Sequence, residues 1–370
     1  MRTHSRLVFG GASLKSFAAE QGHSLLLVMF SANADEQFMR AALREARKGW
    51  GRTSPNPAVG AVLVHRGKII GRGYHRHAGA PHAEIECLRG ASGTVPGGSI
   101  LYCTLEPCST QGQTGPCVDE IIRSGVSRVV VGAIDLNPDH KGRGVVRLRH
   151  AGIEVLTGVL ADESAALNET FNKWIVTGRP FVIAKCGMSL DGRLTRRSGE
   201  SRWITQSTAR RHAHRLRGLV DAILVGAETV RKDNPRLTQR LGNHIKQPWR
   251  VVLTRSENLP RNAHLFSDPF ASRTLVYKGK SLGEVLDDLG KRKITSVLLE
   301  GGGEILGQAL DARLIDRVQI YIGPILTSGK VVAFPGQGAV SAEKAAHLNR
   351  VAYTKVGQSV CVTGYPNWGE

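Results

Sequence analysis

Four residues in the first third of the chain restrict how it can fold, because their side chains suit a single metal ion. His82 and Glu84 stand two positions apart, and Cys108 and Cys117 each follow a proline. One imidazole and two thiolates are zinc ligands, and three protein ligands leave the fourth tetrahedral position open, as in catalytic zinc sites. We therefore expect the fold to bring His82, Cys108 and Cys117 to one point, with Glu84 beside them.

This pattern predicts a deaminase. H-x-E followed by P-C-x-x-C is the signature of zinc deaminases of nucleobases, although here eight residues rather than two separate the cysteines. Zinc lowers the pKa of bound water, so that hydroxide is available near neutral pH. Glu84 would take the water proton and deliver it to the ring nitrogen and then to the departing ammonia. A structural zinc would need a fourth protein ligand. Cys103 is the nearest candidate, but the alternation of side chains along its strand could turn it into the core.

Charge and cysteine content narrow the class of protein. The net charge of +19 attracts phosphate-bearing partners, such as nucleic acids, phosphorylated metabolites or dinucleotides. The basic residues are spread along the chain rather than gathered in one dense stripe, which argues against a nucleic-acid groove. Six cysteines in 370 residues are too few for a disulfide framework, so we expect a reducing compartment.

Residues 1–33 differ from the rest of the chain. They contain one acidic residue, Glu20, and an apolar run from Leu25 to Phe30 that is too short to span a bilayer. We expect a leader or disordered tail here; a transit-like leader and an over-called start codon both fit. No later stretch is typical of a membrane span. The expected location is the cytoplasm, or an organelle if residues 1–33 are a transit peptide.

Hydrophobic periodicity divides the remainder into two α/β units, 34–178 and 179–370. In the first unit we predict helices over 35–48, 82–89 and 117–124, and strands over 59–64, 68–74, 99–105, 127–133 and 153–156. In the second we predict helices over 208–216, 281–290 and 304–312, and strands over 181–186, 222–226, 250–254, 274–277, 296–300 and 317–322. Alternating strands and helices indicate layered α/β domains.

Several motifs resemble those of one family. The first unit contains S-P-N-P at 54–57, G-Y-H at 73–75, P-H-A-E at 81–84, T-L-E-P-C-S at 104–109 and D-L-N-P at 135–138. The second contains K-C-G-M-S-L-D-G-R at 185–193, W-I-T at 203–205, D-N-P-R-L-T at 233–238 and E-G-G at 300–302. In these motifs, and in the eight-residue gap between the cysteines, the chain resembles the bifunctional riboflavin-biosynthesis deaminase/reductases.

The resemblance implies a cytidine-deaminase-like three-layer domain followed by a dihydrofolate-reductase-like α/β domain. The first would use Zn²⁺ to deaminate 2,5-diamino-6-ribosylamino-4(3H)-pyrimidinone 5′-phosphate. The second would use NADPH to reduce the ribosyl group to ribityl, giving 5-amino-6-ribitylamino-uracil 5′-phosphate. It also implies a homo-oligomer, either a dimer or a tetramer, whose partner is a small phosphorylated pyrimidine.

The resemblance also implies further site residues. Those that would bind substrate are Asn56, His75, Asp135, Asn137, Ser201, Arg217, Leu237, Arg240 and Glu300. Those that would bind the cofactor are Lys185, Trp203, Thr205, Asp233, Gly301, Gly302 and Gly303.

Taken by themselves, the residues of the second unit leave alternatives open. No G-x-G-x-x-G follows its first strand, so a Rossmann fingerprint is absent. The glycines at 301–303 either let backbone N–H groups approach a phosphate at a helix start or simply mark a turn. Asp191 is either a pocket residue or a turn aspartate, and the same choice applies to Asp233 and Asn234. Arg231, Lys232 or Arg255 could favour the extra phosphate of NADPH.

One loop departs from the family pattern. Between the cysteines the family has C-S-H-x-G-K/R-T, whereas this chain has Thr110 in place of the histidine and Gln113 in place of the basic residue. The lost charge would weaken the grip on the substrate phosphate, because a charge-assisted bond is about twice as strong as a neutral one. Either nearby basic residues substitute, or the deaminase is slow or altered in substrate.

Two rival interpretations remain. A nucleic-acid deaminase would explain the charge and the zinc ligands, but it leaves the second unit without a role. A non-enzymatic binding or scaffold protein would leave His82, Glu84, Cys108 and Cys117 unexplained. A variant of the second rival is a chain in which only one half is active.

Overall fold

The computed structural model describes residues 33–91, 93–110, 115–194, 203–241 and 246–369. The predicted leader lies outside these residues, except for residue 33, which belongs to the first helix. No helix in the described part of the chain has both the length and the apolar character needed to cross a membrane.

The elements of the first half run from residue 33 to residue 177. Its helices are α1 (33–49), α2 (Ala83–Gly90), α3 (Cys117–Ser124), α4 (Arg143–His150), α5 (Ala161–Leu167) and α6 (Glu169–Thr177). Its strands are β1 (Gly60–His65), β2 (Lys68–Tyr74), β3 (Ile100–Leu105), β4 (Arg128–Ala133) and β5 (Glu154–Thr157).

The first five strands form one sheet in the order β2-β1-β3-β4-β5. β1 pairs antiparallel with β2 and β3, whereas β3, β4 and β5 run parallel. One face of the sheet packs on α2, α3 and α4 through residues such as Leu63, Cys103 and Val131. The alternate residues, such as Val62 and Tyr102, pack on α1. The three layers are those of the cytidine-deaminase-like fold that the motifs predict.

The elements of the second half begin at residue 181. Its helices are α7 (Ser207–Arg215), α8 (Ala227–Asp233), α9 (His264–Ser267), α10 (Leu282–Lys291) and α11 (Gly303–Asp311), with 3₁₀ turns at Leu216–Gly218 and Ala271–Arg273. Its strands are β6 (Phe181–Ser189), β7 (Ala222–Gly226), β8 (Trp249–Thr254), β9 (Thr274–Lys278), β10 (Ser296–Leu299), β11 (Arg317–Gly323), β12 (His347–Val356) and β13 (Ser359–Asn367).

These strands form a second sheet in the order β12-β13-β11-β6-β10-β7-β8-β9. The six strands from β11 to β9 are parallel, and β13 and β12 add antiparallel to one edge. Both faces of the parallel part are buried, one under α10 and α11 and the other under α8 and α9. A parallel sheet needs such cover because its strands are apolar on both sides. The expected α/β architecture of the second half is confirmed.

Every predicted helix and strand is present, most with ends within two residues of prediction. Helices α4, α5, α6, α8 and α9 and strands β12 and β13 are additional. The predicted turn after β1 is also present: Arg66 and Gly67 both have positive φ, as a tight hairpin turn requires.

Helix α6 joins the two sheets through ion pairs and hydrogen bonds. Glu169 accepts hydrogen bonds from Arg317, at the start of β11, and from the Tyr365 hydroxyl at 2.7 Å. Lys173, one turn further along α6, pairs with Asp316. The opposite face of the same helix carries Phe171, which is buried. The position of α6 is therefore set by residues of the second half.

A second junction centres on Asp221, just before β7. Its carboxylate accepts hydrogen bonds from the Ser54 hydroxyl of the first half at 2.6 Å, from the Thr295 amide at 2.9 Å and from Lys246 at 2.7 Å. Although burial opposes the shift, Lys246 and Ser54 lower the pKa of Asp221 below its ordinary value. The ionised carboxylate thus holds the loop that precedes β1 against the second sheet.

We expect Asp221→Asn to lower the stability of the folded chain at pH 7 by about 2 kcal/mol, since a neutral amide binds its buried donors more weakly. Because the folded pKa is lowered, the carboxylate stabilises the fold above the unfolded pKa of about 3.9 and loses that effect as pH falls through the folded value. The difference in free energy of unfolding between the wild-type chain and Asp221→Asn, measured in urea, should therefore shrink below about pH 4. Asp287→Asn is the control, since its pair with Arg179 is exposed on both sides and contributes little; a difference independent of pH would contradict this role.

Candidate functional site

The three candidate zinc ligands come from three segments that neighbour one another beside the first sheet. His82 immediately precedes α2, Cys108 follows β3 and Cys117 opens α3. Their ligand atoms all lie within 4.8 Å of one another. His82 Nδ1 is 3.1 Å from Cys117 Sγ and 3.5 Å from Cys108 Sγ. One nitrogen and two sulfurs, brought together by separate elements, make a preformed donor set suited to zinc.

A glycine allows α2 to lie close enough to the sheet for this convergence. A Cβ at Gly73, in β2, would stand 2.2 Å from the Ala83 carbonyl oxygen and 2.3 Å from the Cys87 amide nitrogen. Only a residue without a side chain lets the two backbones touch in this way. The contact fixes the start of α2, and with it His82 and Glu84.

The protonation state of the two cysteine sulfurs favours metal binding. The Cys117 side chain beside it lowers the pKa of Cys108 to about 4, with help from the Cys117 amide, which donates to the Cys108 sulfur at 3.3 Å, and Cys108 in turn raises the pKa of Cys117. A thiolate is the form of cysteine that binds metal. The arrangement therefore presents at least one ready-made anionic ligand.

Glu84 lies beside this cluster as a buried acid. Its side chain is 3% exposed, and its Oε2 atom has no hydrogen-bond partner within the described residues. Burial raises the pKa of Glu84 to about 7, although His82 opposes the rise. A buried carboxylate oxygen without a partner is costly in a folded protein, and a water or substrate group at the metal site would supply the missing bond.

A cavity of 170 Å³ opens beside the metal ligands. Its lining includes His82, Glu84, Cys108 and four of the predicted substrate residues, namely Asn56, His75, Asp135 and Asn137. Pro57, Val59, Leu105, Glu106, His140 and Phe171 complete it.

Hydrogen bonds fix the tautomer of His75 and the orientation of Asn56. Nδ1 of His75 lies 3.1 Å from the Pro81 carbonyl oxygen, so it carries the hydrogen. Nε2 then accepts from the Asn56 amide nitrogen at 3.2 Å. Burial lowers the pKa of His75, which keeps the ring neutral. The Asn56 amide oxygen is left as a hydrogen-bond acceptor at the cavity wall.

Glu106, the glutamate of the T-L-E-P-C-S motif, has a structural role. Its buried carboxylate accepts four backbone N–H bonds, from Asp135 at 3.2 Å, Gly142 at 2.9 Å, Gly144 at 2.9 Å and Val145 at 3.2 Å. The last two open α4, where a negative charge is favoured by the helix dipole. Glu106 thereby ties the loop that carries Asp135 and Asn137 to the end of β3.

The loop that departs from the family pattern is described only as far as Thr110, and Gln113 lies outside the described residues. The Thr110 hydroxyl lies 3.2 Å from Nδ1 and 3.4 Å from Nε2 of His140. His140 belongs to the loop held by Glu106, and it lines the cavity.

The second half contains a larger cavity of 620 Å³. Nine of the predicted substrate and cofactor residues line it: Lys185, Trp203, Thr205, Arg217, Asp233, Arg240, Glu300, Gly301 and Gly302. Leu237 does not, because its side chain is buried in the core beneath β7 and β8. Gly303 lies behind the wall, packed on the Val332 carbonyl oxygen. Ser201 lies outside the described residues.

Glu300 is the electrostatic centre of this cavity. Arg217 binds both of its carboxylate oxygens, at 2.8 and 2.9 Å, and Lys185 approaches to 3.3 Å. Although burial opposes it, Lys185 and Arg217 hold the pKa of Glu300 well below its usual range. Burial and the cations Arg217 and Arg240 lower the pKa of His214 to about 4, and the neutral ring accepts the Arg240 amide N–H.

The structure shows the positions of the three residues for which the sequence allows two interpretations. Asp191 accepts hydrogen bonds from the Ser189 hydroxyl in its own turn and from the amides of Thr327 and Ser328, so it ties the end of β6 to the loop after β11. Asn234 ends α8 with φ 40° and bonds the His264 amide. Asp233, by contrast, faces the cavity.

Two family models match the chain. Residues 32–133 match the cytidine and deoxycytidylate deaminase zinc-binding region, and residues 180–362 match the RibD C-terminal domain. The riboflavin biosynthesis protein RibD of Aquifex aeolicus is 38% identical over 348 residues, which are 89% of this chain and 97% of that protein. RibD of Escherichia coli is 40% identical over 325 residues, 79% of this chain and 88% of that protein.

Two solved structures of similar proteins superpose on most of the chain. RibD of Acinetobacter baumannii superposes with a TM-score of 0.84 at 34% identity, covering 91% of this chain and 99% of its own. A diaminohydroxyphosphoribosylaminopyrimidine deaminase/5-amino-6-(5-phosphoribosylamino)uracil reductase of Thermotoga maritima superposes with a TM-score of 0.83 at 35% identity, covering 91% and 100%. With matching domains in the same order and relatives aligned over nearly their whole length, the chain belongs to the RibD family of riboflavin-biosynthesis proteins.

Proposed function

We propose that the two cavities carry out successive steps on one phosphorylated pyrimidine. The chain is a bifunctional enzyme of riboflavin biosynthesis, a zinc-dependent deaminase and an NADPH-dependent reductase. Its first substrate is 2,5-diamino-6-ribosylamino-4(3H)-pyrimidinone 5′-phosphate, and its final product is 5-amino-6-ribitylamino-uracil 5′-phosphate. The observation that carries the deaminase assignment is the convergence of His82, Cys108 and Cys117 beside the buried acid Glu84.

In the first cavity the work of the protein is to hold the ring and move protons. Zinc, held by the three ligands, would supply Lewis-acid activation of water. Glu84 would take one proton from the attacking water and give it to the ring nitrogen, and would then pass the second water proton to the amino group, so that the amine leaves as ammonia and the ring carbon becomes a carbonyl. Its raised pKa suits both the acceptance and the return of a proton near neutral pH. Asn56, oriented by the neutral His75, offers its amide oxygen to a donor group of the pyrimidine.

In the second cavity the work is to position two ligands. NADPH would supply the hydride that reduces the ribosyl carbon, with the open-chain imine as acceptor. Arg217 is held by Glu300 with its guanidinium at the cavity wall, and Arg240 lies near it, so the pair favours a phosphorylated substrate. Thr205 and Trp203 lie on the wall that would receive the cofactor.

The start of α11 fits a cofactor phosphate. Gly302 precedes that helix, and a Cβ there would meet only the Thr229 hydroxyl, at 4.0 Å. The space in front of it is therefore free for a ligand. Backbone N–H groups at a helix start are natural partners of phosphate.

We expect Gly302→Val to raise the KM for NADPH about tenfold, the effect of losing 1.4 kcal/mol of binding, because the added methyl groups fill the space a phosphate needs. The fold should survive, since Gly302 has φ −66°, which valine also adopts. Steady-state kinetics and thermal melting check this. Gly97→Val, at an exposed turn with nothing within 4 Å, is the control; an unchanged KM would count against a phosphate site here.

The experiment that tests the function as a whole uses the full-length zinc-loaded chain and the diaminopyrimidine ribotide. Ammonia should be released without NADPH, and NADPH should be oxidised only once deaminated substrate is present. Equal rates of NADPH oxidation with the diamino compound would contradict the order of steps. Formation of inosine in tRNA would favour the rival nucleic-acid deaminase instead.

We further propose a division near residue 178, with a deaminase domain over 34–178 and a reductase domain over 179–370. The separate sheets support it. A homo-oligomer, either a dimer or a tetramer, is supported by β12 at the edge of the second sheet, where Tyr353 is 75% exposed, and light scattering tests it. Six free cysteines support a reducing location, the cytoplasm.

A further inference from the structure

Among the described polar residues of the first cavity, only His140 is given no role by the motif resemblance, the proposed function or the contacts described above. His140 lines the cavity together with Glu84, Cys108 and Asn137. It is half-buried and lies in the loop between β4 and α4. A histidine at the wall of a substrate cavity can donate a hydrogen bond to a substrate oxygen.

The loop holds His140 in a defined place. The His140 amide donates to the Asn137 carbonyl at 2.9 Å, and the His140 carbonyl accepts from the Arg143 amide at 2.8 Å. The Glu106 carboxylate binds the same loop on both sides, through the amides of Asp135 and Gly142. Such a backbone is organised before any ligand arrives, which lowers the entropy cost of binding.

Thr110 holds the imidazole ring itself. Its hydroxyl lies 3.2 Å from Nδ1 and 3.4 Å from Nε2 of His140. The hydroxyl can satisfy one ring nitrogen, which leaves the other for a ligand. Position 110 is also where the family pattern has histidine and this chain does not. The residue that replaces the expected histidine thus contacts a histidine from a different loop.

We propose that His140 binds the phosphate-bearing end of the deaminase substrate, and that it takes the place of the histidine missing at position 110. The proposal rests on the proposed function. The pyrimidine end is already served by Asn56, His75 and Glu84, so His140 is left for the sugar phosphate. The exposed Lys141 follows it in the same loop, which adds positive charge for a phosphorylated ligand.

The first test is the KM of ammonia release with the diaminopyrimidine ribotide. His140→Ala should raise the KM about tenfold, as expected for the loss of one hydrogen bond to a charged group, while kcat and zinc content change little. His77→Ala is the matched control, because His77 is exposed, does not line the cavity, and contacts the neighbouring Ala78 carbonyl oxygen.

The second test moves the histidine back to the family position. Adding Thr110→His to His140→Ala should bring the raised KM most of the way back to the wild-type value. A general loosening of the loop would not allow this recovery. An unchanged KM in His140→Ala overturns the proposal, and so does a loss that Thr110→His leaves uncorrected. Failure of the proposed function would look different, since the wild-type chain would then release no ammonia at all.

Discussion

Glu84→Gln should abolish ammonia release while the chain keeps its zinc. Glutamine matches glutamate in size, so the buried site keeps its shape, but it cannot accept the proton that the reaction must move. General acid–base groups contribute roughly 10² to 10⁴ in rate, and a residue that handles every proton of the step should lie at the upper end. Ammonia production and metal content, measured on the same preparation, check the prediction.

A matched control stands on the same helix. Glu86 is two residues further along α2 and pairs with Arg76 at the surface, so Glu86→Gln should leave deamination within a factor of about two, as surface changes generally do. Reduction of the deaminated substrate should be normal in both variants. Deamination at the wild-type rate in Glu84→Gln would refute the proton-transfer role, and loss of zinc would show that Glu84 supports the metal instead.

Glu300→Gln should lower reductase activity about 100-fold and destabilise the second half. It leaves Arg217 and Lys185 facing each other in a largely buried cavity without a counter-charge. Breaking a buried ion pair on one side typically costs about 3 kcal/mol or more. Arg217 would also shift, and a misplaced positioning group can reduce a rate about 100-fold. Denaturant unfolding and NADPH oxidation with the deaminated substrate measure the two effects.

Glu304→Gln separates these effects from a general change of charge. Glu304 lies in the first turn of α11, four residues from Glu300, and is exposed. We expect its variant to keep its stability within about 0.5 kcal/mol and its full reductase activity. If Glu300→Gln kept its stability and activity in the same way, the ion-pair group of Glu300, Arg217 and Lys185 would be neither a structural nor a functional centre.

Local patterns made much of the fold predictable. Helix α3 has the predicted bounds, Cys117–Ser124, because its apolar residues recur at helical spacing and Gly125 ends it in a left-handed conformation. Strand β7 likewise has its predicted bounds, since it is an uninterrupted apolar run. Strand β12 gave no such signal. Nearly all its residues are exposed, and it exists because it pairs with β13.

The functional sites likewise contain some features that local sequence patterns predict and others that they do not. The residues of the zinc cluster could be proposed from the chain because their chemistry is distinctive at short spacing. The contact of Thr110 with His140, and that of Ser54 with Asp221, join residues 30 and 167 positions apart, and no local pattern encodes such distances. Leu237, which the resemblance implies binds substrate, has its side chain in the core, so its backbone is the part that could face a ligand.

Helix α6 has a practical consequence for anyone who wishes to separate the two activities. Phe171 forms part of the wall around the first cavity, while Glu169 and Lys173 on the same helix are anchored to Arg317 and Asp316 of the other half. Truncation after residue 178 would discard those anchors but keep the wall they hold. A compound that separated α6 from β11 would, for the same reason, disturb the wall of the deaminase cavity without entering it.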